Sequence, residues 1–450
     1  MAFHPIDRNT EYLLPPSVQE WLPEAHLARY VVDVVEGLDL SVLERAYAGR
    51  GSDAYHPAML LSLLIYGYAT GTFSSRKIER ATYDSLAFRY IACNRHPDHD
   101  TLASFRRRFG KEFSAAFVQV LQLARENQLS RFGTVSLDGT KIHANASRHN
   151  ALSYAHAEKI EAKLKAEVQE LLALAESADQ TSVPDGVKLP EEIRRREDRL
   201  AAIAAAKAKI EARAQERFER EQAEYDAKVA ARAAKTESGK KPRGPSPQPP
   251  ESGPRANDQI NLTDEESRIM KVSGGGFDQC YNAQAVVDTE SMLILASHVT
   301  QATNDKEQIT PMVAKVQANL EGVNRPTIWL ADTGYYSEKN VGACVAAGIE
   351  PLIAVKREAH HPDWRERFTE PAPLADDATP LETMKHNLKT RAGRAAYALR
   401  KQTVEPVFGI IKSVMGFSQF LLRGLVNAQN EWTLVCLAWN LKRMAALRPQ

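Results

Sequence analysis

Three acidic side chains in this 450-residue chain sit where carboxylates could do chemistry. Asp138 follows the short alternating run Thr134 to Leu137, and Asp332 follows the apolar run Ile328 to Ala331. Glu405 lies within YALRKQTVEPVFGIIK, Tyr397 to Lys412. Two carboxylates held close repel each other, so they either share a proton or bind a divalent cation. Oxygen ligands of this type suit Mg²⁺ or Mn²⁺ rather than zinc. Taken singly, each residue has a plainer explanation. An Asp after a short strand is commonly a turn residue. A Glu with Lys401 four positions before it fits an ordinary amphipathic helix with i,i+4 charge pairs. It is the set of three that carries weight.

The elements that must position these acids follow from apolar spacing. Val135 and Leu137 flank Ser136 with the period of a strand, which predicts a strand over 134–137 that Gly139 and Thr140 terminate and that delivers Asp138 at its end. YNAQAVVDTES and MLILASHVTQ predict a hairpin turning near Asp288 to Ser291. A helix is expected from Asn304, with Pro311 as a kink or a late start. Strands at Ile328–Ala331 and EPLIAVK then alternate with a helix over Glu338–Ala347. Pro406 disfavours helical geometry at Glu405, which predicts a first turn or a kink there. The C-terminal WTLVCLAWNLKRMAAL is expected to be an amphipathic helix covering the sheet. This order predicts an α/β fold, a ribonuclease-H-like mixed five-stranded sheet whose first three strands are antiparallel. The first and fourth strands would be neighbours, bringing Asp138 and Asp332 together.

Two further regions flank that core. Residues 1–128 read as an all-α N-terminal domain. Pro57 opens a buried helix, Ser74 or Ser75 caps the next, and a single helix runs from Thr101 to Asn127. Arg106, Arg107, Arg108 and Lys111 form a basic cluster of the kind that a helix-turn-helix-like unit presents to DNA, or simply a solvated helix face. Residues 129–148 hold the first catalytic strand. Residues 149–275 read as an insertion: two charged, alanine-rich helices folded back as a coiled-coil hairpin, a turn at DQTSVPDGVKLP, then the Pro/Ser/Gly linker KKPRGPSPQPPESGP. Gly274–Phe277 is expected to be the hinge where the insertion rejoins the sheet, and residues 276–450 complete the catalytic domain.

Composition narrows the partners. Hydrophobic content is 43%, charged content is 26% and net charge is +1, so any nucleic-acid partner must be met by locally concentrated basic residues. Cys93, Cys280, Cys344 and Cys436 lie far apart without a CxxC pair, which argues against a zinc ribbon or redox motif and for reduced, mostly buried thiols. The opening MAFHPIDRN lacks an apolar signal region, and the run Ala58 to Ala69 is too short to span a bilayer. The expectation is a soluble, cytoplasmic protein.

SLDGTKIHANAS around Asp138, GGFDQCYNAQAVVD, WLADTGYYSEKN around Asp332, YALRKQTVEPVFGIIK around Glu405, and LLSLLIYGYATGTFSSRKIE in the N-terminal region together resemble the DDE transposases of bacterial insertion sequences. The resemblance covers nearly the whole chain and implies a ribonuclease-H-like catalytic domain that cleaves and transfers DNA strands with Mg²⁺. It implies Asp138, Asp332 and Glu405 as the catalytic, metal-binding triad. Tyr397, Arg400 and Lys412 match residues thought to contact phosphate near the cut. Four residues separate Arg400 from Glu405, where some relatives have three, so Lys401 is an alternative to Arg400. The expected mechanism uses two metal ions about 3.5–4 Å apart, with Asp138 bridging them. Lys141, His143 and Asn282 are secondary candidates near the site. The implied partner is double-stranded DNA, both the element's ends and a target, bound by a homodimer. Two alternatives remain: a nuclease of the same fold without strand transfer, and an inactive DNA-binding derivative.

Overall fold

A computed structural model describes residues 17–47, 54–176, 189–237, 244–272, 274–322, 325–355, 365, 369–375 and 377–448. The chain divides into two compact units, residues 1–145 with 269–450, and residues 146–268.

The first unit is mixed α/β, built on a mixed sheet. Its strands are β1 (Thr134–His143), β4 (Arg268–Lys271), β5 (Phe277–Asp288), β6 (Ile294–Thr300), β7 (Ile328–Ala331) and β8 (Glu350–Ile353). The short β2 (Ala151–Ser153) and β3 (Gln259–Asn261) pair with each other in the second unit. The main order is β4-β5-β1-β7-β8, with β6 also pairing β5. The sheet thus has six strands rather than the expected five, the addition being β4. Gly274, Gly275 and Gly276 all lie at positive φ and form the turn between β4 and β5, in place of the expected hinge.

The central strand also differs from expectation. β1 does not stop at Leu137 but runs ten residues to His143, because β5 pairs with it antiparallel from Val135↔Asp288 to His143↔Cys280. Ladder hydrogen bonds from a long partner override the local turn signal of Gly139–Thr140. β7 pairs with β1 in parallel over Thr134–Ser136 only.

The helices of this unit are α1 (Leu27–Glu36), α2 (Ser41–Arg45), α3 (Pro57–Ala69), α4 (Ser75–Asp84), α5 (Leu86–Ile91), α6 (His99–Arg108) and α7 (Gly110–Glu126). Later come α10 (Ile309–Asn319), α11 (Glu338–Ala346), α12 (Pro380–Asn387), α13 (Arg391–Gly409) and α14 (Leu425–Leu447). The expected single helix after Thr101 is two, capped by Asp98 and broken at Phe109. Gly110 opens α7 against Asn430 of α14, and a Cβ there would overlap the Asn430 side chain. The start of α10 is the late one, at Ile309.

α14 is not amphipathic. Every residue from Glu431 to Leu441 is buried, as expected of a helix enclosed on all sides. On one side Asn440 exchanges hydrogen bonds with the Ile294 backbone of β6 (2.8 Å each). On the other, Glu431 accepts from the Tyr68 hydroxyl of α3 (2.6 Å) and from the Leu421 and Leu422 amides (2.9 and 3.0 Å). Arg106 of α6 supplies the countercharge, 4.0 Å from Glu431 and 2.8 Å from the Tyr68 hydroxyl. Trp329, Trp432 and Trp439 are core residues. The four cysteines are free thiols, with Cys93 exposed and the others buried. Among the described residues no helix is long and apolar enough to cross a membrane.

The second unit carries α8 (Tyr154–Glu176) and α9 (Leu189–Glu237). Most of the expected turn between them lies outside the described residues. Ala157 and Leu164 pack against Ile203, Ala206 and Ile210, with Leu152 and Ile260 closing the end of the seam. Glu167–Arg196 at 2.8 Å, Glu161–Lys207 at 2.8 Å and Tyr154–Glu211 at 2.7 Å pair rising with falling numbers, so the helices are antiparallel. From Gly244 the proline-rich stretch is tied to α9: Arg232 donates to the Gly244 and Pro245 carbonyls and Arg217 to the Gly253 carbonyl at 3.1 Å.

Glu431→Leu strands Arg106 and the Tyr68 hydroxyl in the core, and is expected to cost about 3–5 kcal/mol in denaturant unfolding. Adding Arg106→Met should recover part of that loss. Equal stability of wild type and the single variant would refute the role given to this pair.

Candidate active site

The register of the two parallel strands settles where the aspartates stand. β1 and β7 pair as Thr134↔Ile328, Val135↔Trp329 and Ser136↔Leu330, an offset of 328 − 134 = 194. Asp138 and Asp332 have the same offset, 332 − 138 = 194, so they face each other two residues beyond the last paired rung. β7 ends at Ala331, where Asp332 caps a short 3₁₀ turn by accepting from the Gly334 amide at 2.8 Å. Asp138 stays in strand geometry, its carboxylate accepting from the Gly139 amide at 2.8 Å. Burial, and then the nearby Asp332 charge, push the Asp138 carboxyl up to about 7 against the pull of the Gly139 amide and Arg400.

Glu405 comes from α13, which packs on the sheet through Thr403, Val404, Val407 and Phe408. Pro406 neither starts nor ends this helix. It lies inside a continuous α13, and a π turn over Ile410–Val414 follows. The buried flank holds the helix together despite the hydrogen bond that proline removes. Glu405 does not reach the aspartates directly. Arg400 stands between, with Nη2 3.0 Å from Glu405 and Nη1 3.7 Å from Asp138. Burial acts to lower the Arg400 pKa, but Tyr397, Asp138, Glu405 and Asp332 outweigh it and keep the guanidinium charged.

Of the two candidates for that basic position, Arg400 is buried toward the acids and Lys401 is exposed. Lys412 donates to the Lys141 carbonyl at 2.9 Å, and burial lowers its pKa. Tyr397 is half-buried beside Arg400.

A polar network on the opposite face of β1 joins two of the secondary candidates, Asn282 and Lys141, to Gln284, Asp305 and Tyr335, which the sequence reading missed. Asp305, in the loop expected to be helical, accepts from Asn282 at 2.6 Å and Gln284 at 2.7 Å. Gln284 accepts from the Tyr335 hydroxyl at 2.6 Å, three residues past Asp332. Lys141, one of the secondary candidates, lies 3.6 Å from Asp305. Gly139 makes room for this network: a Cβ there would overlap Gln284 Nε2 and stand 2.7 Å from Asp305 Oδ1. Strand alternation could have added Gln284, a second polar residue on the same face of a buried strand as Asn282. No local signal marks Asp305. His143 lies at the far end of β1, 3.3 Å from Asp278.

Residues 16–108 match a transposase domain, DUF772, and residues 250–441 match the transposase DDE domain. The chain belongs to the DDE transposases. No curated protein and no solved structure matches it. The DDE match begins beyond β1; what brings Asp138 beside Asp332 is the sheet register.

Outside that centre, one residue of the basic cluster departs from expectation, while Arg107, Arg108 and Lys111 are exposed. Arg106 is no DNA-facing residue: it is buried, because the buried Glu431 needs its charge. Arg108 lies 4.9 Å from the Phe109 ring and donates to the Ala46 carbonyl at 2.9 Å.

The donor set suits a hard divalent cation, and Asp138, buried and repelled by Asp332, is a carboxylate that such an ion would hold charged. Among the described residues, however, no three His, Cys, Asp or Glu side chains converge as a ligand set. Glu405 is engaged with Arg400.

The raised pKa of Asp138 sets a pH dependence. Between about 4, the unfolded value, and about 7 the folded chain keeps a proton that the unfolded chain has lost. This contribution to stability is fully present below about pH 4 and is lost as pH rises to about 7. Without divalent metal, Asp138→Asn is expected to melt higher than wild type at pH 8, the gap closing toward pH 4. Thermal melts across that range check it, and a gap independent of pH would contradict it.

Proposed function

We propose that this transposase binds the terminal inverted repeats of its insertion sequence and carries out Mg²⁺-dependent cleavage and strand transfer, through Asp138, Asp332 and Glu405. The observation that carries the reading is the in-register placement of Asp138 and Asp332 on neighbouring parallel strands. The antiparallel β1–β5–β6 and parallel β1–β7–β8 pairings support a ribonuclease-H-like catalytic domain. The seam between α8 and α9 supports a coiled-coil insertion.

Asp138 and Asp332 would hold the metal, and Glu405 would complete the set, in a two-metal site with Mg²⁺ or Mn²⁺. When bound, the ions supply charge neutralisation at the scissile phosphate and lower the pKa of the attacking hydroxyl. The chain's own residues then orient the substrate. Arg400 lies against the acids with Tyr397 beside it, and both fit phosphate contacts; Lys412, held at the Lys141 carbonyl, is a further candidate for such a contact. Lys401 and Arg107, both exposed, fit contacts to the DNA backbone farther out. Cutting and joining two ends calls for two copies, hence a homodimer on DNA. The domain proposal is a DNA-binding segment over 1–128, a first catalytic strand over 129–148, an insertion over 149–275 and the remaining catalytic domain over 276–450.

The test uses DNA carrying the gene's own flanking ends, with Mg²⁺ present or chelated. Wild type is expected to nick at the ends only with metal. Glu405→Gln should lose cleavage, by at least about a hundredfold as for the removal of a principal electrostatic group, while binding the ends within a few-fold of wild type. Equal loss of binding would remove Glu405 from the chemistry. Cleavage without strand transfer would favour a nuclease, and binding without metal-dependent cleavage would favour an inactive derivative.

A further inference from the structure

Arg400 holds the space that a cation between Asp138 and Glu405 would need. Its guanidinium is the positive group lying against both acids, at 3.7 and 3.0 Å. The arrangement is not that of a permanent clamp. A locked Arg–carboxylate pair is bidentate, with two parallel hydrogen bonds. Here the only hydrogen bond to an acid is the one to Glu405. The distance to Asp138 exceeds hydrogen-bond range. The buried Nε has no hydrogen-bond partner among the described residues. Glu405 is itself 49% exposed, so the acid that Arg400 holds can leave toward solvent. The charge balance is otherwise unfavourable: Asp332 and Asp305 both act on Asp138 with the same sign as its own charge.

We propose that Arg400 is a built-in competitor for the divalent cation: it neutralises Asp138 and Glu405 when metal is absent and must leave them for metal to bind. The inference rests on the reading that these acids hold the metal. It adds that Arg400 opposes metal binding in the free protein, rather than assisting it as a neutral neighbour would. Displacement also returns a charged guanidinium to the substrate side of the acids only when metal is present. Phosphate contact by Arg400 is thereby coupled to metal loading. The recognised chemistry is a hard divalent cation on one side of the exchange and a phosphodiester on the other.

The experiment is a Mn²⁺ titration of the full chain without DNA, reading free Mn²⁺ by electron paramagnetic resonance. Wild type is compared with Arg400→Gln, Arg400→Met and Asp138→Asn, each checked for folding by circular dichroism. Arg400→Met keeps the apolar stem, so the two Arg400 variants together separate lost charge from lost packing. Both are expected to bind Mn²⁺ about tenfold tighter than wild type, a change of about 1.4 kcal/mol. Asp138→Asn should lose the site. Equal or weaker Mn²⁺ binding by the two Arg400 variants would overturn the competition. Unaltered binding by Asp138→Asn would instead overturn the metal reading beneath it.

Discussion

The parallel pairing of β1 with β7 is the constraint on which the rest of the site depends. Three rungs of ladder set one offset, and that offset brings Asp138, within β1, to the same level as Asp332, just past the end of β7. A slip of one residue would turn one aspartate to the other face of the sheet and dissolve the pair. The register is therefore protected on both sides. β5 holds β1 over nine pairs, far beyond the reach of β7. β8 holds β7 along its whole four-residue length. The charge repulsion between the aspartates is thus borne by the sheet.

A second constraint is the burial of α14. A helix enclosed between a sheet and a set of helices must satisfy each polar group it carries, and this one does so at both ends of the contact. Asn440 takes the place of a strand partner for Ile294, while Glu431 draws Tyr68 and Arg106 into the core. The N-terminal helices and the sheet therefore form one compact unit, and Arg106 serves its stability.

Charge balance is the third. Asp138, Asp332, Asp305 and Glu405 would be costly to gather without positive partners. The structure distributes two: Lys141 against Asp305, and Arg400 against Glu405 and Asp138. Gly139 lets the Asp305 network lie directly beneath the strand that carries Asp138.

The sequence by itself determined most of the element types and singled out the candidate acids. Apolar spacing is a local property, so it marked the strands before Asp138 and Asp332, the buried Pro57 helix, and the long helices of the insertion. It could not determine how far β1 extends, because a strand's length is set by its partner. Nor could it place Arg106, since the charge that buries it, Glu431, lies more than three hundred residues away. Pro406 is a local helix breaker that packing on the sheet overrides. Asp305 has no pattern of its own and becomes part of the site only through Asn282, Gln284 and Lys141. Which acids face which cations depended on tertiary structure alone, because electrostatic contacts are made through space and leave no periodic trace in the chain.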